Sequence, residues 1–416
     1  MPTVNYATTG SNTAASGAGG SAVTGTNGDI SGTTITLNET AVLSDFAAGD
    51  VIWYEGDGGD RHLFEIVSFT GGAATCTAVV VVETATTTIS DGRNWAVGGS
   101  RLDMDNDTSN RDWEDFTGGW DAVFGAGTFD LDAQVTPTGG SVTAGPIRFI
   151  GDGQGSTYLR STTNTEHFDV SGGLVHLIDF TATTSATPAT ATALNQSNSN
   201  GSQGILVERV TVDGLNYGWY TNYHDITLFI GCIFENCTSH GVYLPHWTAA
   251  RRRFVNCTFR NNGGDGAHHS NPNGSVYTLF MGCVFEGNTG DGLEVTISAF
   301  AVVDIVNCVF HDNGGHGLNF GTTSVIDSSV SFTNCIFTNN GLYGVTAPSS
   351  THNGVTFSDY NAFYNNTSGP RQNVTAGAHD VTLGADPFTD AAGDDFSLNN
   401  EASGGGMLRF AGYGLS

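Results

Sequence analysis

Acidic and imidazole side chains recur at matched points in the second half of this 416-residue chain. They are Asp265 and His268, then Asp291 and Glu294, then His316. Two carboxyl groups held about 5 Å apart serve retaining glycosidases as nucleophile and general acid, and their proximity raises the pKa of one of them. Carboxylate oxygens also bind Ca²⁺. A third interpretation is an exposed turn without chemistry, because Asp is common in turns.

These residues belong to a repeat of 25 to 27 residues. One cysteine marks position zero of each copy: Cys232, Cys257, Cys283, Cys308 and Cys335. Phe stands at position two and Gly at position nine of every copy, and Asn stands at position five of every copy except the first. Asp265, Asp291 and His316 therefore share position eight. His268 and Glu294 share position eleven.

Each repeat is predicted to form one coil of three short strands and three bends. The chain has no Lys, and its 58 Gly favour turns over helices. Stacked coils lie about 4.8 Å apart, so equal residues form columns. We expect Cys and Phe inside, with the thiols reduced because this spacing exceeds that of a disulfide, and Asn at a bend. Positions eight and eleven then form one exterior face, and His269 points inward.

The repeat resembles the right-handed parallel β-helix proteins of the pectate-lyase-like superfamily. The Cys, Phe, Asn and Gly positions carry the resemblance over residues 205–364, and a weaker sixth copy begins at Asn361. The resemblance implies an all-β chain with a right-handed single-stranded parallel β-helix over 136–400, clearest at 205–366, and a tail at 401–416. That superfamily includes polysaccharide lyases, hydrolases and phage tailspikes, so the activity stays open.

The first 135 residues follow a different pattern. Alternating runs between Gly and Asp turns predict a small N-terminal β domain, or attachment region, over 1–100. Residues 101–135 are predicted to form a linker and a capping helix, because Trp113, Phe116 and Trp120 stand at near-helical spacing. Such a helix would cover the open first coil of the solenoid.

An acidic stretch in this linker resembles an EF-hand calcium loop. Four acids stand at ligand positions of that loop: Asp103, Asp105, Asp107 and Glu114. Thr108 stands where the loop needs Gly, and no clear helix precedes it. Calcium is therefore the candidate cofactor, and an acidic linker without a metal is the alternative.

A second group of residues is suited to contact with a sugar. Arg251, Arg252 and Arg253 form the one basic run, which is able to grip an acidic sugar. Four aromatic residues lie nearby in sequence, and aromatic rings stack on sugar faces: Trp219, Tyr220, Tyr243 and Trp247. The resemblance implies that a lyase would need a basic residue beside a uronate, and only Arg or His is available here. Ion pairing of the arginines and packing of the rings are the alternatives.

The charge of the chain excludes two classes of partner. A formal net charge of -28 repels nucleic acid and anionic lipid. The longest apolar run is too short to span a bilayer. The first residues lack the features of a signal peptide, which indicates synthesis in a cytoplasm, with secretion as the alternative.

The favoured function is a bacteriophage virion surface protein of the spike, fibre or capsid-decoration type. It would be made in the host cytoplasm and would engage a host glycan or other virion proteins at the particle surface. Spikes of this kind are often homotrimers. The first alternative is a polysaccharide lyase or glycoside hydrolase that acts at the acidic face, and the second is a passive structural β-solenoid.

Overall fold

A computed structural model gives the backbone and side chains of most of the repeat region. The residues described in full are 123–129, 146–161, 164, 166–170, 174–185, 191–195, 204–221, 226–245, 251–270, 276–296, 301–321, 329–348 and 357–409, and further strands are described by backbone alone. The chain divides into two units, Met1–Thr211 and Val212–Ser416.

The first unit contains a barrel and a set of parallel strands. Strands β1 to β7 are Thr3–Tyr6, Val23–Ser31, Thr34–Leu37, Val51–Glu55, Arg61–Phe69, Thr75–Ala78 and Thr88–Val97. Strands β8 to β15 are Trp120–Phe124, Gly127–Leu131, Ile147–Ile150, Thr157–Ser161, Phe168–Asp169, Leu174–Thr184, Thr192–Gln196 and Gly204–Asp213, and the boundary between the units falls inside β15.

Strands β2 to β7 close into a barrel in the order β2-β3-β6-β5-β4-β7, with antiparallel pairing. Strand β8 instead pairs in parallel with β1 and β10. The predicted capping helix is therefore wrong at Trp120, which begins β8. Residues 111–119 lie outside the described residues, and so do Asp103, Asp105, Asp107 and Glu114 of the proposed calcium loop.

The second unit is a right-handed parallel β-helix with three strands in each coil. Strands β16 to β26 are Tyr217–Thr221, Ile226–Ile230, Ile233–Glu235, Val242–Pro245, Ala250–Val255, Thr258–Arg260, Ala267–Asn271, Val276–Met281, Val284–Glu286, Leu293–Ile297 and Ala301–Val306. Strands β27 to β37 are Val309–His311, Leu318–Phe320, Ser329–Thr333, Ile336–Thr338, Tyr343–Thr346, Val355–Asp359, Ala362–Tyr364, Gly369–Gln372, Val381–Thr382, Phe388–Asp390 and Asp395–Leu398.

These strands stack into three parallel columns, which confirms the predicted fold. Column A contains β17, β20, β23, β26, β29 and β32, and column B contains β18, β21, β24, β27, β30 and β33. Column C contains β16, β19, β22, β25, β28, β31 and β34. Equal repeat positions pair directly, so Phe234 lies beside Phe259, and Phe259 beside Phe285.

The phenylalanine of position two fills the interior of the coils. Its ring stacks on the ring of the next coil from Phe234 to Phe363, with centroids 4.6 Å apart for Phe259 and Phe285. Burial of each ring contributes about 1.5–3 kcal/mol. The six described cysteines are buried and none of them forms a disulfide, which agrees with a column of reduced thiols.

Position five is a ladder of buried asparagines. The amide of Asn288 donates to the Phe259 carbonyl oxygen of the preceding coil at 3.0 Å and to Asn313 Oδ1 of the next coil at 2.9 Å. Asn262, Asn313 and Asn340 repeat both contacts. Each side chain therefore satisfies backbone groups that the bend leaves without a strand partner.

Two bends of each coil need a left-handed backbone. The residue before position zero and the residue at position four have φ between 50° and 66°, and both are Gly, Asn or Asp throughout the five cysteine-marked copies: Gly231, Asn236, Asn256, Asn261, Gly282, Gly287, Asn307, Asp312, Asn334 and Asn339. These are the residue types for which this conformation costs least. The bends thus account for the Asn and Gly content of the repeat.

The C-terminal segment folds against column B. Strands β36 and β37 form a hairpin, joined by a 3-10 turn at Ala391–Gly393 and followed by the short helix α1, Gly405–Leu408. The rings of Phe388 and Phe396 contact His311, and Arg260 Nη1 lies 2.6 Å from Asp394 Oδ2. Within the described part of the chain, no helix has the length and hydropathy to cross a membrane.

Candidate functional site

The candidate site lies where column C begins. The position-eight residues precede or open its strands, and the position-eleven residues lie within them with their side chains outward. From coil to coil, position eight is Tyr217, His240, Asp265, Asp291, His316 and Tyr343. Position eleven is Tyr220, Tyr243, His268, Glu294, Asn319 and Thr346, and these residues pair in register. We call this surface the column C face.

The position-eight side chains have a structural role that repeats along the face. From His240 to His316, each of these side chains accepts the backbone N–H of the same position in the next coil. Asp265 N donates to His240 Nδ1 at 3.0 Å, and Asp291 N donates to Asp265 Oδ1 at 2.8 Å. The same contacts continue through His316 to Tyr343. An acceptor at position eight thus joins successive coils, whether it is a carboxylate or an imidazole.

Asp265 is the centre of an acid–imidazole network. Its Oδ2 lies 3.3 Å from His240 Nδ1 and 3.0 Å from His268 Nδ1. His268 Nδ1 also lies 3.0 Å from Glu294 Oε2 of the next coil. Asp265 is only 7% exposed, whereas His240, His268 and Glu294 are half-buried and reach the surface. The network therefore presents two imidazoles and one carboxylate to solvent around a buried carboxylate.

The surroundings shift the pKa values of this network in opposite directions. Burial favours protonation of Asp265, but the contacts with His240 and His268 outweigh burial and hold its pKa well below the usual range. Burial disfavours the charged form of His268, but Asp265 and Glu294 raise its pKa to about 9. Asp265 is thus a carboxylate and His268 an imidazolium near neutral pH.

Asp291 occupies the same slot one coil later but meets a different environment. Burial raises its pKa to about 6, against the hydrogen bonds from the His316 N–H at 2.6 Å and from Asn319 Nδ2 at 2.7 Å. The imidazole of His316 lies nearly parallel to the ring of Tyr343, and burial lowers its pKa. His316 therefore contacts Asp291 through its backbone N–H, whereas its ring contacts Tyr343 of the next coil.

Three tyrosines extend the network toward the preceding coils. The Tyr243 ring contacts the other two, with its centroid 5.5 Å from that of Tyr217 and 5.7 Å from that of Tyr220. It also contacts the rings of His240 at 5.6 Å and His268 at 5.2 Å. The column C face therefore joins a patch of aromatic rings to a patch of charged groups.

The arginine run lies elsewhere. Arg251, Arg252 and Arg253 belong to β20 of column A, which pairs with β17 and β23 and not with the strands of the face. The prediction that Arg252 contacts a substrate is wrong, because its side chain is fully buried inside the coil. Its guanidinium carbon lies 5.8 Å from the centroid of the Trp219 ring. Arg251 and Arg253 are exposed. Trp247 lies outside the described residues.

The sequence prediction found most of the face but missed part of it. Asp265, His268, Asp291 and Glu294 lie together as expected, and His269 points inward to Thr278. Tyr217, His240 and Asn319 were not among the predicted site residues. The signal for Tyr217 is Gly218, which takes position nine of a coil that lacks the cysteine and pairs through its backbone with Gly241 of the next coil.

Two groups on the face have the composition of a metal site. In each group, one ligand atom per residue lies within 4.8 Å of the others. The first group is His240, Asp265 and His268, and the second is Asp265, Asp291 and Glu294. The second is made of oxygen ligands alone, as Ca²⁺ prefers, whereas the first includes two imidazole nitrogens.

Comparison with known proteins identifies the repeat and little else. Residues 193–368 match the family model described as "Right handed beta helix region". A search of curated proteins found no match.

Several solved structures are similar at low identity. ORF18 of Geobacillus virus E2 is 15% identical over 66% of this chain, with a TM-score of 0.37, and the chain spans 56% of its length. The A-module of mannuronan C-5 epimerase AlgE6 from Azotobacter vinelandii is 15% identical, with 64% of this chain and 92% of that chain covered and a TM-score of 0.33. The catalytic unit of a GH87 α-1,3-glucanase from Streptomyces thermodiastaticus strain HF3-3 is 12% identical, with 85% and 89% covered and a TM-score of 0.40.

Proposed function

We propose that this right-handed β-helix binds a glycan on its column C face. The observation that carries the proposal is the contact between the Tyr217, Tyr220 and Tyr243 rings and the network around Asp265. Tyrosine rings offer flat apolar area to the C–H face of a sugar, and carboxylates and imidazoles bind its hydroxyls. Both kinds of group lie in the strands of column C or just before them, which holds them in fixed positions.

The charge of the face favours a neutral glycan. Asp265, Asp291 and Glu294 lie within a few ångströms of one another, and the chain carries a net charge of -28. A uronate would be repelled there, because the arginine run that could have held it belongs to column A. Hydroxyl groups, in contrast, donate hydrogen bonds to carboxylates without a charge penalty.

A glycan array with Tyr243→Ala tests this proposal. Tyr243 is the ring that contacts both the other tyrosines and the imidazoles, so its loss should weaken binding at least about tenfold. Tyr277→Ala is the matched control, because Tyr277 is also a half-buried outward tyrosine but lies on β23 of column A. The proposal would be contradicted if the wild-type chain bound no glycan on the array, or if the Tyr243→Ala variant bound as tightly as the wild type.

The setting that we propose is the surface of a bacteriophage particle, as a spike, fibre or decoration protein made in the host cytoplasm. The six described cysteines are buried thiols outside any disulfide, which supports synthesis in a reducing compartment. The direct test is to look for the chain among the proteins of purified phage particles. If the chain is absent from them, the proposed virion location is wrong, and the proposal of glycan binding is unaffected.

A second candidate function is hydrolysis of the bound glycan. It is favoured by the opposite pKa shifts of two carboxyls in adjacent coils, since an ionised Asp265 and an Asp291 with a pKa of about 6 match a base or nucleophile and a general acid. Both side chains are nearly enclosed, and each also holds a backbone N–H of the next coil. Binding without turnover therefore agrees better with the geometry.

Asp291→Asn separates hydrolysis from binding. The amide oxygen of Asn still accepts the His316 N–H, so the coil stays intact while the acid is lost. If Asp291 is the acid, the release of reducing ends should fall by at least about 10³-fold without loss of glycan binding. Wild-type chain that releases no reducing ends, or an active Asn variant, would remove this candidate.

A further inference from the structure

Three potential metal ligands converge at the solvent side of Asp265. Nδ1 of His240 lies 3.3 Å from Asp265 Oδ2, and Nδ1 of His268 lies 3.0 Å from the same oxygen. One ligand atom from each of the three residues lies within 4.8 Å of the others. His240 and His268 come from adjacent coils, and their rings are 5.0 Å apart.

We propose that His240, Asp265 and His268 bind one first-row transition-metal ion such as Zn²⁺. Two imidazoles and one carboxylate form a ligand set that such ions favour, with metal–ligand distances of about 2.0–2.2 Å. Ligand atoms around such an ion lie about 3.0–3.4 Å apart in tetrahedral or octahedral geometry. The separations of 3.0 and 3.3 Å between Asp265 Oδ2 and the two Nδ1 atoms fall within this range.

The surroundings of Asp265 fix its orientation toward such an ion. Its Oδ1 accepts the backbone N–H of Asp291 at 2.8 Å, so Oδ2 is the oxygen that faces the two imidazoles. In metal sites generally, hydrogen bonds from surrounding groups hold the ligands in orientation, and the Asp291 N–H does this for Asp265. The two imidazoles are half-buried, so the three ligands lie next to solvent.

Two contacts of the metal-free protein compete with the metal. His240 Nδ1 accepts the Asp265 N–H at 3.0 Å, and the metal takes the same lone pair. His268 Nδ1 is shared between Asp265 Oδ2 and Glu294 Oε2, and the metal replaces the proton on it. Glu294 loses its imidazole partner and can accept a hydrogen bond from a water on the ion.

Titration of the full chain with Zn²⁺ and Co²⁺, without glycan, tests the site. We expect one equivalent to bind, with the visible absorption of Co²⁺ in mixed nitrogen and oxygen coordination. His268→Ala and Asp265→Asn should each weaken binding at least about tenfold. His316→Ala is the matched control, because His316 occupies position eight and accepts the Tyr343 N–H but is not one of the three ligands. It should bind as the wild type does.

Three results would overturn the proposal: binding of Ca²⁺ in preference to Zn²⁺, unchanged affinity in Asp265→Asn, or an equal loss in His316→Ala. Asp265→Asn keeps an acceptor for the Asp291 N–H, so the coil survives even if His268→Ala fails to fold. The titration contains no glycan, and the glycan array can be run with a chelator, so either proposal can fail while the other stands.

Discussion

The position-eight residues show that one side chain can serve both structure and chemistry. Asp265 and Asp291 each hold a backbone N–H of the next coil through one oxygen and keep the second oxygen for other contacts. Spacing in the sequence predicted that the two carboxyls lie in one column. It could not reveal the N–H contacts, because these depend on the path of the bend between columns B and C.

The same limit explains the error at Arg252. The three consecutive arginines were interpreted by their charge alone. Arg252 stands two residues before Phe254, which is an interior residue, so the alternation of a strand places both side chains inside. Trp219 is interior as well and packs on Phe229 and Phe254. Alternation counted from a known interior residue would have separated Arg252 from its exposed neighbours.

The asparagine ladder leads to a stability prediction at the scale of one residue. Asn288→Ala removes the acceptor of the buried Asn262 N–H and the donor to the Phe259 carbonyl. Two buried backbone groups are then left without these partners, so we expect a loss of about 3–5 kcal/mol in the free energy of unfolding. Urea unfolding followed by circular dichroism measures this change.

Thr289→Ala is the control for this measurement. Thr289 is the adjacent residue and is exposed, so its truncation should change stability by less than about 0.5 kcal/mol. A loss below about 1 kcal/mol in the Asn288 variant would show that water replaces the amide and that the ladder is not a main source of stability.

At the scale of elements, the C-terminal hairpin encloses an acidic group. Glu286 is 7% exposed and lies on column B, between Arg260 and His311 in register. Burial and then the charge of Asp394 raise its pKa to about 7, against the opposing charge of Arg260. The hairpin is therefore held by the Arg260–Asp394 ion pair next to a carboxyl that favours its protonated form.

This arrangement predicts how stability depends on pH. The folded pKa of Glu286 exceeds the 4.5 of an unperturbed glutamate, so the folded state binds more protons than the unfolded state between these two pH values. Stability should fall as pH rises from about 5 to about 8. Glu286→Gln should flatten this slope and leave the variant more stable than the wild type at pH 8, by about 1–3 kcal/mol.

Urea unfolding at several pH values in this range measures the effect. Glu401→Gln, at an exposed glutamate, shows whether the loss of one negative charge is enough to change the slope. Parallel curves for wild type and Glu286→Gln would mean that Glu286 is ionised in the folded protein across the whole range.

At the scale of the whole molecule, the repeat made the β-helix predictable, and its absence made the rest difficult. Cys, Phe, Asn and Gly recur because each column needs the same residue type in every coil, so the fold could be inferred from residues 205–364. No such constraint repeats before the β-helix. There the near-helical spacing of Trp113, Phe116 and Trp120 predicted a helix, whereas Trp120 begins a strand that pairs with neighbours distant in sequence.

Equal repeats also bear on how the array grows. Every coil from Cys257 to Cys308 ends in the same bends and offers the next coil a phenylalanine ring, an asparagine amide and a position-eight acceptor. A duplicated or deleted coil would meet matching edges on both sides. Gene duplication can therefore lengthen or shorten this array in whole turns, and each added turn would bring a new pair of outward residues on which selection can act independently of the scaffold.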